Sequence, residues 1–377
     1  MLKTVLVAFY EVYPPTFGSA SVAYHIAKFL PGERTLVQVA ERGVGLPADV
    51  GLSVLTIPVR SKTRIAKALR LIKELWGLTS LIKSLSPNLV LLEGGSWAFY
   101  DLVLIRLLRI RKVRSKIIYH AHNVEYLLRK QKDSAWLAAI TKCAEGRVLR
   151  DADDSFAVSA RDAGAFYRIY GCRVGILPNG VDVKRFDEVR EERVQVIKNQ
   201  YGLSGTVILF MGLSAFLPNK EALDFLVRRV FPGLVRDDPS LRLAVIGGDV
   251  PYSEKWLINP GRIPFEDVPA FVKACDIGVA PIFSGSGTRL KILEFMAAGK
   301  PVIATPKGAE GLDIRDGETI LLAETAAEFV ERTRFLLQHT ERRLEIGAKG
   351  RDLVKQVYDW PVILEDFRAQ TLVSWDR

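Results

Sequence analysis

Short apolar runs alternate along this chain with longer segments in which apolar residues recur every three or four positions. Runs rich in Val, Leu and Ile predict buried strands, and the longer spacing predicts amphipathic helices between them. In the N-terminal half the predicted strands are Lys3–Phe9, Thr35–Val39, Leu52–Ile57, Asn88–Glu93, Ser115–Ala121 and Ser155–Val158. Such an alternation indicates an α/β fold, in which helices cover both faces of a parallel sheet.

The same alternation restarts after a turn signal at Pro178-Asn179-Gly180. Five more strands are predicted at Thr206–Met211, Leu241–Ile246, Ile277–Pro281, Val302–Ala304 and Glu318–Leu322. Helices are predicted at Asn219–Val235, Glu266–Ala274 and twice within 324–357. A chain of 377 residues is long enough for two domains. We therefore predict domains at 1–177 and 178–357, and a C-terminal helix over 358–377 that packs back toward the first domain.

Residues 285–311 form the most informative stretch, GSGTRLKILEFMAAGKPVIATPKGAEG. A glycine-containing turn leads into a helix predicted from about Thr288 to Ala298, which Gly299 ends. The amides at the start of a helix suit an anion, and Lys291 and Glu294 share one face of this helix. The pair fits a diphosphate and the ribose hydroxyls beside it, and it fits equally a solvated pair on an ordinary surface helix.

Ligands of parallel sheets bind beyond the carboxyl ends of the strands. In the first half these ends carry Gly18, Glu93, the segment His120–Glu125 and Ser159. A histidine just past a strand, such as His122, can move a proton or bond a sugar hydroxyl. His120 lies within the strand and is expected to be a packed core histidine. His120, His122 and Glu125 could also bind a metal ion, but two histidines and one acid within six residues are a weak pattern. We therefore predict no metal site.

The charge of +10 is concentrated in the first 175 residues, where 26 Lys and Arg face 14 Asp and Glu. Basic residues cluster in 60–84 and 105–117, which fit helices facing anionic lipid or ordinary basic surface helices. No nucleic-acid recognition motif accompanies the charge, so we expect no nucleic-acid partner. Three scattered cysteines and the lack of a long apolar run favour a cytoplasmic protein, at most peripheral on the inner membrane face.

Several motifs together resemble family 4 of the retaining glycosyltransferases. They are the glycine loop at Pro15–Ala20, HAHNVE, LPNGVD, FMGLSAFLPNKEAL, and GTRLKILEFMAAGKPVIAT followed by GAEGL. The resemblance covers nearly the whole chain. It implies the GT-B fold, in which two Rossmann-like domains with parallel sheets face each other across a cleft.

The resemblance also implies a donor, a UDP- or GDP-sugar bound mainly by the C-terminal domain without an obligatory metal, and an acceptor, a saccharide or a lipid-linked group. The resemblance implies that Glu294 holds the ribose and that His122 lies near the transferred sugar. It also implies that Gly18 and Gly212 approach the donor. The amides of Gly287 and Thr288 would bind the phosphates. We place Glu93, Asn123 and Glu125 on the acceptor side and Arg262 in a loop that reads the base.

The sequence departs from the family pattern at positions that should contact the diphosphate. Ser286 stands where the family usually has its first glutamate, and Leu213 stands where it often has an arginine. The usual lysine is matched only by Lys220, one place out of register. We therefore expect Arg289 and Lys291 to supply the missing positive charge.

These features predict sugar transfer with retention of configuration, in polysaccharide or glycolipid assembly. Two alternatives remain open. A nucleotide-sugar epimerase of the same fold would convert its donor without an acceptor. A non-catalytic homologue would bind the nucleotide sugar without turnover, which the departures at Ser286 and Leu213 make plausible.

Overall fold

The computed structural model describes residues 2–15, 17–40, 51–58, 64–94, 98–213, 216–285 and 290–372. The chain divides into two compact units. Unit 1 contains the residues up to Pro178 and those from Phe367 on, and unit 2 contains Asn179–Asp366. Within the described residues, no helix is both long enough and apolar enough to cross a membrane.

Unit 1 is built on a seven-stranded sheet in the order β3-β2-β1-β4-β5-β6-β7, with every neighbouring pair parallel. Its elements in chain order are β1 Lys3–Ala8, α1 Gly18–Phe29, β2 Glu33–Ala40, β3 Ser53–Pro58, α2 Arg64–Leu85, β4 Leu89–Gly94, α3 Ala98–Ile110, β5 Lys116–Ala121, α4 Glu125–Lys132, α5 Ala135–Asp151, β6 Asp154–Ala157, α6 Ala160–Tyr170 and β7 Gly175–Ile176. The order reverses between β1 and β4, which places a ligand crevice at their carboxyl ends.

The unit 1 sequence specifies these elements by burial and by helix caps. Every residue of β4 is buried, as expected for a central parallel strand with helices on both faces. Helix α6 begins where Ser159 Oγ accepts the Asp162 amide at 3.1 Å, and it ends at Gly171, whose φ of +68° suits a residue without a side chain.

Unit 2 repeats the architecture with a six-stranded parallel sheet in the order β10-β9-β8-β11-β12-β13. Its elements are α7 Val183–Asp187, α8 Glu191–Tyr201, β8 Val207–Met211, α9 Leu217–Phe225, α10 Phe231–Asp237, β9 Arg242–Ile246, β10 Leu257–Gly261, α11 Val268–Ala274, β11 Ile277–Ala280, α12 Leu290–Ala297, β12 Val302–Ala304, β13 Leu321–Leu322, α13 Ala326–Gln338 and α14 Thr340–Leu353. The last helix, α15 Trp360–Leu372, begins in unit 2, and its residues from Phe367 on belong to unit 1. The order reverses between β8 and β11, so a second crevice lies at those strand ends.

The predicted α/β class with two parallel sheets is confirmed, and several element boundaries differ. The helix predicted over Asn219–Val235 consists of α9, a π-helical turn at Leu226–Val230, and α10. The predicted strand Glu318–Leu322 is shortened to β13, because Gly317 at φ +77° opens a turn that continues to Ile320. Strand β10 was not predicted, since Asn-Pro-Gly inside it is a turn signal; the proline is tolerated because the strand lies at the sheet edge.

Helix α12 packs onto the sheet through a close contact with β11. The ring of Phe295 lies over Gly278, where an added Cβ would come within 2.4 Å of ring atoms. Ile292, Leu293 and Met296 of the same helix are also buried. The helix carrying Lys291 and Glu294 is therefore held by the core of unit 2.

Candidate active site

The crevice of unit 2 has a floor made of glycine backbone. The amide of Gly212, directly after β8, donates to Ile246 O at 2.9 Å, and the amide of Gly247 donates to Gly261 O at 2.9 Å. Gly247 has φ +119°, and a Cβ on it would lie 2.5 Å from Gly212 O. A side chain at position 247 is therefore excluded, and a ligand at this strand end can approach the Gly247 backbone closely.

Asn219 and Lys291 meet above this floor. The Asn219 side chain covers Gly212 so closely that a Cβ there would lie 2.6 Å from its amide carbon. Asn219 Nδ2 donates to Leu213 O at 3.1 Å, and its Oδ1 accepts from the Lys291 amine at 2.9 Å. The amine also lies 4.5 Å from the centre of the Phe210 ring. A positive charge carried by α12 is thus held at the carboxyl end of β8.

Glu294 lies one helical turn from Lys291 on α12. Burial raises the pKa of its carboxyl group to about 7, against the opposing effects of Arg185 and Lys291. Its carboxylate makes no hydrogen bond within the described part of the chain. Arg185 itself donates to Phe265 O at 2.7 Å, and its guanidinium lies 3.7 Å from the centre of the Phe265 ring. Sequence reasoning missed Arg185, because only the fold brings it close enough to act on Glu294.

The other predicted donor residues fall into two groups. Lys220 and Arg262 are exposed. The remaining four, Ser286, Gly287, Thr288 and Arg289, lie outside the described residues. Their roles therefore stay predictions.

The crevice of unit 1 contains a cluster of Glu93, His120 and His122. Glu93 Oε2 accepts from His120 Nδ1 at 3.1 Å and from His122 Nε2 at 2.5 Å. His120 Nε2 lies 3.1 Å from Leu177 O. Glu93 and His120 have no exposed surface, and the side chain of His122 is 5% exposed. The prediction of a packed His120 fits this burial.

Two acidic residues predicted on the acceptor side have other partners. Glu93 is fully buried and bonded to both imidazoles, so a direct contact with an acceptor does not fit. Glu125 accepts from the Ala98 amide at 2.7 Å and from Arg129 Nε at 2.8 Å, which fixes the start of α3. Asn123 differs from both: its Oδ1 is buried and has no hydrogen-bond partner among the residues that the structure describes.

Among the residues that the structure describes, Glu93, His120 and His122 form the group whose side chains could together bind a metal ion. Their potential ligand atoms lie within 4.8 Å of one another. The sequence suggested Glu125 as the carboxylate of such a group, but the carboxylate beside the two histidines is that of Glu93. Two donors about 2.1 Å from a tetrahedral metal lie roughly 3.4 Å apart. The 2.5 Å between His122 Nε2 and Glu93 Oε2 is instead a hydrogen-bond distance.

Gly18 is the first residue of α1 and is exposed, and Phe17 before it supplies no side-chain cap. The first amides of α1 are therefore not capped by a side chain of the N-cap residue. Tyr10 OH donates to Ser19 O at 3.4 Å beside this helix start. The contact predicted between Gly18 and a donor phosphate stays a prediction.

Comparison with known proteins agrees with this fold. Residues 18–185 match the family described as Glycosyltransferase Family 4, and residues 205–339 match Glycosyl transferases group 1. HepE of Anabaena, solved in complex with UDP and glucose, superposes with a TM-score of 0.76 at 15% identity, covering 99% of this chain and 100% of that chain. WaaG, a glycosyltransferase involved in lipopolysaccharide biosynthesis, gives a TM-score of 0.70 at 15% identity, covering 98% and 99%.

Two curated relatives are similar over shorter regions. A trehalose synthase of Pyrococcus horikoshii is 29% identical over 202 residues, which are 48% of this chain and 48% of the relative. A GDP-mannose-dependent phosphatidylinositol monomannoside mannosyltransferase of Corynebacterium glutamicum is 27% identical over 215 residues, 50% of this chain and 53% of the relative. The chain thus spans about half the length of these curated relatives.

The fold is that of the GT-B proteins, with two Rossmann-like units. The chain belongs to the family 4 and group 1 glycosyltransferases.

Proposed function

We propose that this protein is a retaining glycosyltransferase that moves a sugar from a nucleotide-diphosphate sugar to a hydroxyl of an acceptor. The observation that carries the proposal is the pair on α12. Glu294 offers a carboxylate that no described residue occupies, and Lys291 places an ammonium at the glycine floor beside Gly212. Ribose hydroxyls donate hydrogen bonds and a diphosphate needs positive charge, so the pair matches both halves of such a donor.

In this mechanism the bond between the anomeric carbon and the diphosphate oxygen breaks, and negative charge grows on the leaving diphosphate. Lys291 stabilises that charge more strongly in the transition state than in the bound donor. The acceptor hydroxyl forms the new bond to the same face of the sugar, and its proton passes to the departing phosphate oxygen. Gly287, Thr288 and Arg289 would add donors to the diphosphate. We place His122 near the transferred sugar, as the family resemblance implies.

The compared proteins support a donor of this class. HepE was solved with UDP and glucose, and the mannosyltransferase is described as dependent on GDP-mannose and acts on a phosphatidylinositol glycolipid. We therefore propose a UDP- or GDP-sugar donor, no obligatory metal, and a saccharide or lipid-linked acceptor. The corresponding role is a step of polysaccharide or glycolipid assembly on the cytoplasmic side of a membrane.

We further propose reversible binding of unit 1 to anionic membrane surfaces. Trp76 and Ile110 are 58% and 71% exposed, and Arg111 links their helices by stacking on Trp76 at 4.5 Å. Exposed basic side chains around them are Lys73, Lys83, Lys112 and Arg114. Sedimentation with anionic vesicles at low and high salt tests this, and binding that is absent or insensitive to salt would contradict it.

A two-stage assay tests the transferase. UDP- and GDP-sugars are first screened by thermal shift, and the stabilising donor is then labelled and incubated with saccharide and lipid-linked acceptors. We expect acceptor-dependent transfer and, by NMR of the product, an unchanged anomeric configuration. Glu294→Gln should lose the thermal shift. Donor conversion without any acceptor would indicate the epimerase instead, and binding without turnover would indicate the non-catalytic homologue.

A further inference from the structure

Arg185 of unit 2 holds Phe265 in two ways at once. Its Nη2 donates to Phe265 O at 2.7 Å, and its guanidinium carbon lies 3.7 Å from the centre of the Phe265 ring. The hydrogen bond fixes the backbone of Phe265, and the stacking contact fixes its side chain. Arg185 therefore determines both where Phe265 lies and how its ring is turned.

Phe265 lies in the segment that connects the carboxyl end of β10 with the start of α11. The amide of Gly247, part of the glycine floor, donates to Gly261 O at 2.9 Å, so the segment begins at that floor. Phe265 then opens a short turn of 3-10 helix that runs to Asp267, and Arg193 of α8 forms an ion pair with Asp267. Ligands of parallel sheets bind at this edge of the sheet. The segment is thus held by one arginine at each end of its turn.

Arg185 also acts on Glu294 of α12. Burial raises the pKa of the Glu294 carboxyl to about 7, and of the two cations that oppose this rise Arg185 has a larger effect than Lys291. The fold explains this proximity, because the helix that carries Arg185, α7, and the helix that carries Glu294, α12, both pack against α11. One guanidinium is therefore close to the carboxylate and bonded to the segment after β10.

Helix α7 is anchored by residues other than Arg185. Val183 and Phe186 are buried in the core of unit 2. Lys184, the residue before Arg185, is exposed and forms an ion pair with Glu188 of the same helix. Arg185 is half-buried and reaches a residue 80 positions further along the chain. Its contacts therefore serve the segment after β10 more than the packing of its own helix.

We propose that Arg185 is a positioning residue for the nucleoside half of the donor: it holds Phe265 beside Glu294, so that the base meets a preformed segment when the ribose binds the carboxylate. This role rests on the proposed nucleotide-sugar donor for the identity of the ligand. Preorganisation favours binding, because the side chains and the segment are ordered before the ligand arrives. Loss of Arg185 should therefore weaken every ligand that contains the nucleoside, whatever phosphates or sugar it carries.

Calorimetric titration with UDP, UMP, GDP and GMP tests this role without any transfer assay. The native protein should bind the diphosphate of one base, and Arg185→Met should weaken that diphosphate and its monophosphate by the same factor, about 10-fold. Lys291→Met should weaken the diphosphate more than the monophosphate, because its ammonium serves the phosphates. Lys184→Met is the matched control, which removes an exposed charge from the same helix and should leave both affinities unchanged.

Two further variants separate the contacts of Arg185. Arg185→Lys keeps a positive charge near Glu294 and loses the planar stacking, so it should recover only part of the affinity. In the double variant Arg185→Met, Glu294→Gln, the loss should be smaller than the product of the two single losses, because both residues act on the same nucleoside. Thermal unfolding of each variant checks that the affinity falls while the melting temperature stays near that of the native protein.

Three results would overturn the role of Arg185 and leave the proposed transferase standing. They are an unchanged affinity in Arg185→Met, a loss confined to the diphosphate, and equal losses in Arg185→Met and Lys184→Met. The second would make Arg185 a phosphate ligand, and the third would show a general effect of charge on α7. If the native protein binds none of the four nucleotides, the proposed donor is itself wrong, and the role of Arg185 fails with it.

Discussion

Lys291 donates from its amine to Asn219 Oδ1 at 2.9 Å, although 72 residues separate the two along the chain. Asn219 in turn covers Gly212 at the end of β8. The family pattern would place an arginine next to this glycine, where the chain has Leu213. Lys291 on α12 therefore supplies, at the end of β8, the positive charge that an arginine at position 213 would have supplied.

The first prediction concerns this charge. Lys291→Met keeps much of the aliphatic stem against Phe210 and removes the ammonium. We expect kcat/KM to fall at least about 100-fold, the loss of roughly 3 kcal/mol that follows removal of one group stabilising transition-state charge. Steady-state kinetics with the identified donor measure it. Lys220→Met is the matched control variant, because Lys220 is exposed. If kcat/KM fell further in Lys220→Met than in Lys291→Met, Lys220 and not Lys291 would be the residue that stabilises the diphosphate.

The second prediction concerns Glu294 and pH. Its pKa is about 7 in the folded protein, against a usual value of 4.5. Between these values the folded state keeps a proton that the unfolded state has lost, so the contribution of Glu294 to stability is full below about pH 4.5 and is lost as pH rises through 7. Because the side chain keeps some exposure, we expect an effect on the order of 1–3 kcal/mol.

Urea unfolding of the native protein and Glu294→Gln at pH 5 and pH 8 measures this effect. The glutamine variant should be relatively more stable at pH 8, because its amide does not ionise, and the difference should shrink at pH 5. A difference in unfolding free energy that is the same at both pH values would show that the carboxyl group titrates normally.

The sequence predicted most strands to within a residue or two, because central parallel strands are continuous apolar runs. It missed β10, where Asn259-Pro260-Gly261 is a turn signal inside an edge strand. The π-helical turn at Leu226–Val230 was missed as well, since the apolar spacing continues through it. Local patterns therefore located the elements and failed where a strand or helix departs from regular geometry.

The candidate sites were predicted less completely, for a different reason. Lys291 and Glu294 were found because both lie on one helix. The contact of Glu93 with His122 spans 29 residues and depends on the register of β4 and β5, which sequence alone does not specify. Sequence placed Glu93 at a strand end correctly but assigned it to the acceptor, since burial could not be read from its position.

The third prediction tests the packing that holds α12. Gly278→Ala places a methyl group about 2.4 Å from the Phe295 ring, so either the ring or the helix must move. We expect a loss of about 1–3 kcal/mol of stability. Gly233→Ala is the matched control in the same unit: it lies in α10, the nearest atom to its Cβ is 3.9 Å away, and it should gain up to about 1 kcal/mol.

Urea unfolding and thermal melts of the two alanine variants, with donor binding measured beside them, complete this test. Gly278→Ala should also weaken donor binding, since α12 carries Lys291 and Glu294. If Gly278→Ala were as stable as Gly233→Ala, the close approach of the Phe295 ring would not constrain this position.

The last prediction concerns Glu145, which fixes the start of α4 in unit 1. Its carboxylate accepts the amides of Glu125 at 2.7 Å and Tyr126 at 3.2 Å, and it also accepts from Tyr170 OH. Glu145→Ala leaves these buried donors unpaired and should cost about 2–4 kcal/mol in urea unfolding, whereas Tyr170→Phe removes one donor and should cost about 1 kcal/mol. Faster hydrogen exchange of the Glu125 and Tyr126 amides should accompany only the alanine variant. If exchange rises equally in both variants, the α4 start depends on the Tyr170 ring and not on the Glu145 carboxylate.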